Sequence, residues 1–215
     1  MNGKNNRSHG AVIVQQSNRL EHRTYVIFGL VRGGTSMVAG VARGLGLNLG
    51  SDLPDTHEDQ QFVTQDPDAH VIPRAERNVH LYEQIVARNK EHAVWGWKYP
   101  QAAEYLDDIL GDIRNPHLVC VFRDLTSVAM AHERWHCKTA LRALNDLNVD
   151  VARNISLLNR VDCPRMMVSY EKALRHPDNF VQQLAEFCCL ERNPDFDHKG
   201  FMQPEVYKDI EGFFS

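Results

Sequence analysis

Residues 24–47, TYVIFGLVRGGTSMVAGVARGLGL, constrain the fold more than any other stretch of the chain. A short apolar run, Tyr25 to Phe28, meets Gly29, a turn containing Gly33 and Gly34 follows, and from Thr35 apolar residues recur at helical spacing. A strand that turns through glycines directly into a helix commits the chain to a unit whose helix must pack back on a sheet. The rest of the sequence repeats that alternation. Strands are expected at Thr24 to Gly29, Ala93 to Lys98, Leu118 to Phe122 and Arg165 to Ser169, all short apolar runs bounded by turn or charged residues. Helical patterns cover Thr35 to Leu47, Arg74 to Glu91, Ala102 to Leu110, Leu125 to His136 and Asp178 to Leu190. A longer one runs through Leu141, Leu144, Leu147, Val151, Ile155 and Leu158. The expectation is an α/β three-layer sandwich, with a central parallel sheet of four to five strands and one domain over residues 24–215. Residues 1–23 read as a polar leader, either frayed or adding an edge strand through the apolar patch Ala11 to Val14.

Composition narrows the partners. With 24 Lys and Arg against 28 Asp and Glu, the formal charge is −4, so a general nucleic-acid or anionic-membrane binder is not expected and any anion site must be local. No apolar run approaches the length of a membrane span, and the first residues lack the apolar core of a secretory signal, which predicts a cytoplasmic protein. Five cysteines, Cys120, Cys137, Cys163, Cys188 and Cys189, are odd in number and make no C-x-x-C pair, as reduced thiols would.

In a parallel sheet, ligands bind beyond the carboxyl ends of the strands. Three of those ends carry a cation here: Arg32 after the first strand, Lys98 in WGWKYP, and Arg123 in LVCVFRD. Gly29 to Ser36 matches the phosphate-loop template G-x-x-x-x-G-K-[ST] at every fixed position except the lysine, which is replaced by Thr35. Gly33 and Gly34 let backbone amides turn inward, the helix adds its N-terminal N–H groups, and Thr35 and Ser36 add hydroxyls. Arg32 replaces the missing charge, its planar fork suited to two oxygens of a phosphate or sulfate. Where a kinase ends a neighbouring strand in a Mg²⁺-holding Asp, this chain has Arg123 first, which repels a cation and attracts a second phosphate.

On these residues the chain resembles the sulfotransferases that use 3′-phosphoadenosine 5′-phosphosulfate (PAPS), a P-loop-related α/β family. VRGGTSMVA is similar to that family's 5′-phosphosulfate loop, and LVCVFRDLTSVAMA to its 3′-phosphate segment. WGWKYP is similar to its Trp-Gly-x-Lys-Asp-Pro element, and MMVSYEKALRHPDNFVQQLAEFCCL to its closing segment. Two positions depart: Ala131 stands where the family shares the 3′-phosphate with a serine, and Tyr99 where it has Asp. The resemblance implies donor binding by Arg32, Gly33, Gly34, Thr35, Ser36 and Arg123, with Tyr170 beside the adenine and Lys98 facing the sulfuryl group. Lys199 and Gly200 are further candidates for the 3′-phosphate, and Ser127 for the role vacant at Ala131. It also implies no metal and a small-molecule or glycan acceptor. The acidic segment LPDTHEDQQF offers a base, Glu58 first, with His57 and Asp59 as alternatives.

Two other readings stand beside this one. The stretch HERWH matches H-E-x-x-H, which on a helix puts His132 and His136 on one face for Zn²⁺, with Glu133 as base. A nucleotide kinase or a purely nucleotide-binding protein of the same architecture is the second.

Overall fold

This computed structural model describes residues 10–64, 72–136, 139–203 and 208–214, without the side chains of Trp135 and His136. Residues 1–9 of the leader and Cys137 lie outside the described residues. The strands are β1 (Ala11–Gln15), β2 (Arg23–Phe28), β3 (Val94–Lys98), β4 (Pro116–Phe122) and β5 (Arg165–Ser169). They form one sheet in the order β1-β5-β4-β2-β3. The four expected strands pair in parallel, Ile27 standing between Lys98 and Val119 in register. The sheet is nonetheless mixed, because β1 joins β5 antiparallel. The patch at Ala11 to Val14 takes the edge-strand alternative: it meets the open edge of β5 and satisfies backbone groups there, with the Ser169 N–H donating to the Gly10 carbonyl at 2.8 Å.

The helices are α1 (Thr35–Gly44), α2 (Arg74–Glu91), α3 (Leu106–Ile109), α4 (Leu125–His136), α5 (Ala140–Arg160), α6 (Tyr170–Arg175), α7 (Pro177–Cys188) and α8 (His198–Phe201). The pattern expected from Ala102 to Leu110 is not one helix. It breaks into a 3₁₀ turn at Ala102–Glu104, the single turn of α3 and a second 3₁₀ turn at Leu110–Asp112. Its acidic residues are drawn to two different helices, Asp108 to Arg74 and Arg77 of α2, and Asp107 to Arg160 of α5. α1 stops three residues short of Leu47, where the Leu47 N–H closes back on the Ala42 carbonyl at 2.9 Å.

Alternation along the strands sorts side chains into two cores, which is the physical content of three layers. Tyr25 and Ile27 face one side, with Val119, Val121, Met166 and Val168, under α1 and α7. Val26 and Phe28 face the other, with Leu118 and Cys120, under α2, α3 and α5. On that second side Trp95 and Trp97 are fully buried, and Phe62 stacks on Trp97 with centroids 4.3 Å apart. A smaller apolar cluster, Leu30 with Val128, Ala129, Ala143 and Leu147, roots the glycine loop in the α4–α5 pair.

α5 departs from the expected stripe. Leu141 and Ile155 are exposed, and the polar Asn154 is buried in their place. That exchange has a cause at the loop.

Candidate active site

Four consecutive carbonyls at the start of the loop are held by donors of the protein. Gly29 O accepts from Asn154 Nδ2 at 3.1 Å, Leu30 O from Gly33 N at 2.8 Å, Val31 O from His132 Nε2 at 3.3 Å, and Arg32 O from Arg123 Nη1 at 3.0 Å. A carbonyl only accepts, so His132 carries its proton on Nε2. With these oxygens engaged, the loop's negative ends are committed to the scaffold. The first N–H groups of α1 have no intrahelical acceptor. No side chain caps α1, and its first turn carries no acidic residue. The junction is therefore electropositive and offers amide donors to an anion. Asn154 escaped sequence reasoning, and its signal is a polar residue three after Val151 and four before Leu158, in phase with the buried face of α5.

Arg32 has φ 62° and Gly34, the N-cap of α1, has φ 87°, both left-handed. Gly34 has a second reason to be glycine: a β-carbon there would stand 2.2 Å from Cδ2 of Tyr170. Tyr170 opens α6 directly after β5, and the Arg123 guanidinium lies over its ring, 4.6 Å from the centroid. Arg123 Nε is buried and makes no hydrogen bond within the protein. Burial pushes the Tyr170 hydroxyl pKa up, against the pull of Arg123. The structure thus brings Arg32, Gly34, Tyr170 and Arg123 together at the ends of β2, β4 and β5.

Asp124, the carboxylate nearest the end of β4, is turned to its own helix. Its Oδ1 accepts from Ser127 N at 2.8 Å and from Ser127 Oγ at 2.9 Å, which caps α4 and lowers its pKa. Ser127 is consequently engaged by the cap that Asp124 makes, through both its N–H and its hydroxyl.

Lys98, at the end of β3, is 1% exposed, so it is no surface lysine. Its Nζ donates to Glu58 Oε1 at 2.6 Å, to the Thr56 carbonyl at 3.0 Å and to Ser36 Oγ at 3.2 Å. An ammonium has three N–H groups, and all three have acceptors. Because Ser36 Oγ receives from Lys98, its own hydroxyl proton remains to be donated at the N-terminus of α1. Burial pushes the Lys98 pKa down, with Glu58 acting in the other direction. In the pair, 26% of the Glu58 side chain is exposed, so Glu58 is the member an incoming molecule reaches.

The neighbours of Glu58 face elsewhere. Asp59 caps the 3₁₀ turn Gln60–Phe62 and pairs with Arg88 of α2. His57 is buried, its Nδ1 2.9 Å from Arg43 Nη1 of α1. Tyr99, in the position where the resembled family has Asp, is buried and stacks on Tyr105. Lys199 pairs with Asp178 of α7 at 2.8 Å, and Gly200 N donates to Asp197 Oδ1 at 3.0 Å. In the HERWH stretch His132 Nε2 is engaged with the loop, and the His136 side chain lies outside the described residues. Among the described residues, no group of three or more His, Cys, Asp or Glu is arranged to hold a metal. Cys120, Cys163 and Cys188 are buried free thiols, and Cys189 is a half-buried one.

No protein-family model matches the chain, and no curated protein matches it in sequence. Solved structures do match. The sulfotransferase domain of the olefin synthase from Synechococcus PCC 7002 superposes with a TM-score of 0.57 at 16% identity, over 83% of this chain and 78% of that one. A sugar kinase from Janibacter sp. HTCC2649 superposes with a TM-score of 0.50 at 14% identity, over 80% of this chain and 96% of that one. The likeness is one of fold. It joins the five-stranded α/β sandwich to an architecture found in both proteins.

Proposed function

We propose that the chain is a sulfotransferase that moves the sulfuryl group of PAPS to a hydroxyl or amine of a small-molecule or glycan acceptor, by in-line transfer without a metal. The observation that carries this reading is the placement of Arg123. Its guanidinium, with a buried and unbonded Nε, stands beside the loop where a kinase would present a Mg²⁺-binding carboxylate, while Asp124 is spent on capping α4. A cation there fits a second phosphate, so the residues suit a nucleotide with anionic groups at two places. The sulfotransferase resemblance of the sequence and the matching fold of a sulfotransferase domain support the same reading.

In this reading the N-terminus of α1, Ser36 and Arg32 hold the 5′-phosphosulfate, and Arg123 holds the 3′-phosphate. PAPS supplies the sulfuryl group and leaves as adenosine 3′,5′-bisphosphate. Glu58 takes the proton of the acceptor O–H or N–H as the new bond to sulfur forms and the bond to the bridging phosphate oxygen breaks. Lys98 acts on the leaving side through Ser36, whose hydroxyl it polarises, and holds the Glu58 carboxylate in place for the acceptor. Tyr170 braces Arg123 and Gly34 and in this reading flanks the adenine.

A kinase of the same architecture is the competing reading, since a sugar kinase shares the fold. The test is turnover with labelled PAPS across a panel of hydroxyl and amine acceptors, with and without EDTA. Loss of a proton-transfer group lowers rates by about 10²- to 10⁴-fold. Glu58→Gln and Lys98→Ala should therefore lose kcat on that scale while adenosine 3′,5′-bisphosphate affinity holds. Turnover abolished by EDTA, or full activity in Glu58→Gln, contradicts the scheme.

A further inference from the structure

His57 stands between the two residues that hold Lys98. Thr56 gives its carbonyl and Glu58 its carboxylate to the same Nζ, so the backbone at His57 determines whether both reach it. That backbone is left-handed, at φ 57°. A non-glycine residue in this conformation persists when its surroundings over-determine it. Here the surroundings belong to α1.

The imidazole is 1% exposed and is held on two sides. Arg43 Nη1 donates to Nδ1 at 2.9 Å, which places the ring proton on Nε2. Nε2 in turn lies against Gly40, where a β-carbon would come within 2.9 Å of it and within 2.0 Å of Phe201 Cζ of α8. Gly40 is therefore a seat cut for the imidazole and for Phe201. The His57 N–H also closes a tight turn on the Pro54 carbonyl at 2.7 Å. Two residues further on, Asp59 is fixed by Arg88. The segment 56–59 thus hangs between α1 and α2 with its two Lys98 acceptors facing β3, and His57 is its anchor on the α1 side. Because α1 begins at the loop that holds the donor, the anchor ties the position of the base to the position of the phosphosulfate.

We propose that His57 is a positioning residue: seated on Gly40 and held by Arg43, it sets the Thr56 carbonyl and Glu58 carboxylate on Lys98 and so fixes the base relative to the donor loop, without touching the reacting groups. This rests on the sulfuryl-transfer reading for its kinetic consequence, and on geometry alone for its effect on Lys98.

The test uses three variants of the full chain, each checked for folding by its unfolding transition. His57→Leu removes the acceptor. His57→Asn keeps an acceptor and tolerates the left-handed backbone. Arg43→Leu breaks the same bond from α1 and leaves His57 itself unsubstituted. Two readouts are taken: kcat together with nucleotide affinity, and the rate at which acetic anhydride in limiting amount labels Lys98, read by mass spectrometry. A small misplacement of a catalytic group costs up to about 10²-fold. The expected result is a fall in kcat on that scale in His57→Leu and Arg43→Leu at unchanged nucleotide affinity, faster labelling of Lys98 in both, and recovery of both readouts in His57→Asn. Labelling of Lys98 at the wild-type rate in both His57→Leu and Arg43→Leu overturns the proposal, as does a His57→Asn variant as impaired as His57→Leu. If the wild type transfers no sulfuryl group, the functional reading fails by itself, and the labelling still decides the role of His57.

Discussion

At the scale of single residues, the candidate site is built by committing polar atoms in advance. Lys98 has every N–H engaged before any ligand arrives, and His57 offers its one lone pair to Arg43. The second arrangement has a consequence in pH. Burial first, then the charges of Arg43 and Lys98, push the His57 pKa from 6.5 down to about 4, with Asp209 alone opposing them. The folded state therefore favours a neutral imidazole. Above pH 6.5 both states are neutral at this position and its contribution to stability is complete. As the pH falls from 6.5 towards 4, the unfolded chain takes up a proton that the folded one refuses, and stability declines by on the order of 3 kcal/mol. Urea unfolding at about pH 7 and about pH 4.5 measures this loss, and His57→Asn should show less of it. An equal decline in both proteins would mean that His57 stays charged or solvated in the folded state.

At the scale of elements, what could be read from the sequence and what could not divide along one line. The strand ends at Lys98 and Phe122 and the glycine loop were legible because apolar runs, glycines and charges change abruptly there. All nine expected donor and base residues lie in the described part of the chain, and the loop, Arg123 and Tyr170 meet as one group. The braces behind them were not legible, because a brace is a long-range pairing. Nothing near Asn154 in sequence says that Gly29, 125 residues away, needs a donor. The same holds for His132, which reads as half of a zinc motif and serves Val31 O instead. The phase of α5 shows the conflict directly, since the apolar Ile155 was given up to solvent so that Asn154 could point inward. Replacing Asn154 with Leu leaves a buried carbonyl without its donor, which costs about 1–3 kcal/mol. The unfolding midpoint should drop accordingly, and adenosine 3′,5′-bisphosphate should bind more weakly as the loop relaxes. Unchanged stability and affinity in Asn154→Leu would show that the loop holds its shape without α5.

At the scale of the whole molecule, the sheet order places β2 between β4 and β3, so the ends that carry the glycine loop, Arg123 and Lys98 are neighbours. The negative net charge of −4 makes this local convergence the more telling, since the cations are concentrated by topology and not by composition. No described helix is long and apolar enough to cross a membrane. We propose that this convergence recognises a nucleotide with anionic groups at both 3′ and 5′ positions. Titration calorimetry with adenosine 3′,5′-bisphosphate and adenosine 5′-monophosphate, without added metal, tests it before any acceptor is known. A charge-assisted hydrogen bond contributes about 1.5–3 kcal/mol. The bisphosphate should accordingly bind at least about tenfold tighter than the monophosphate in the wild type, and the gap should close in Arg123→Ala. Equal affinities in the wild type, or binding of a nucleoside triphosphate only with Mg²⁺, would contradict the account.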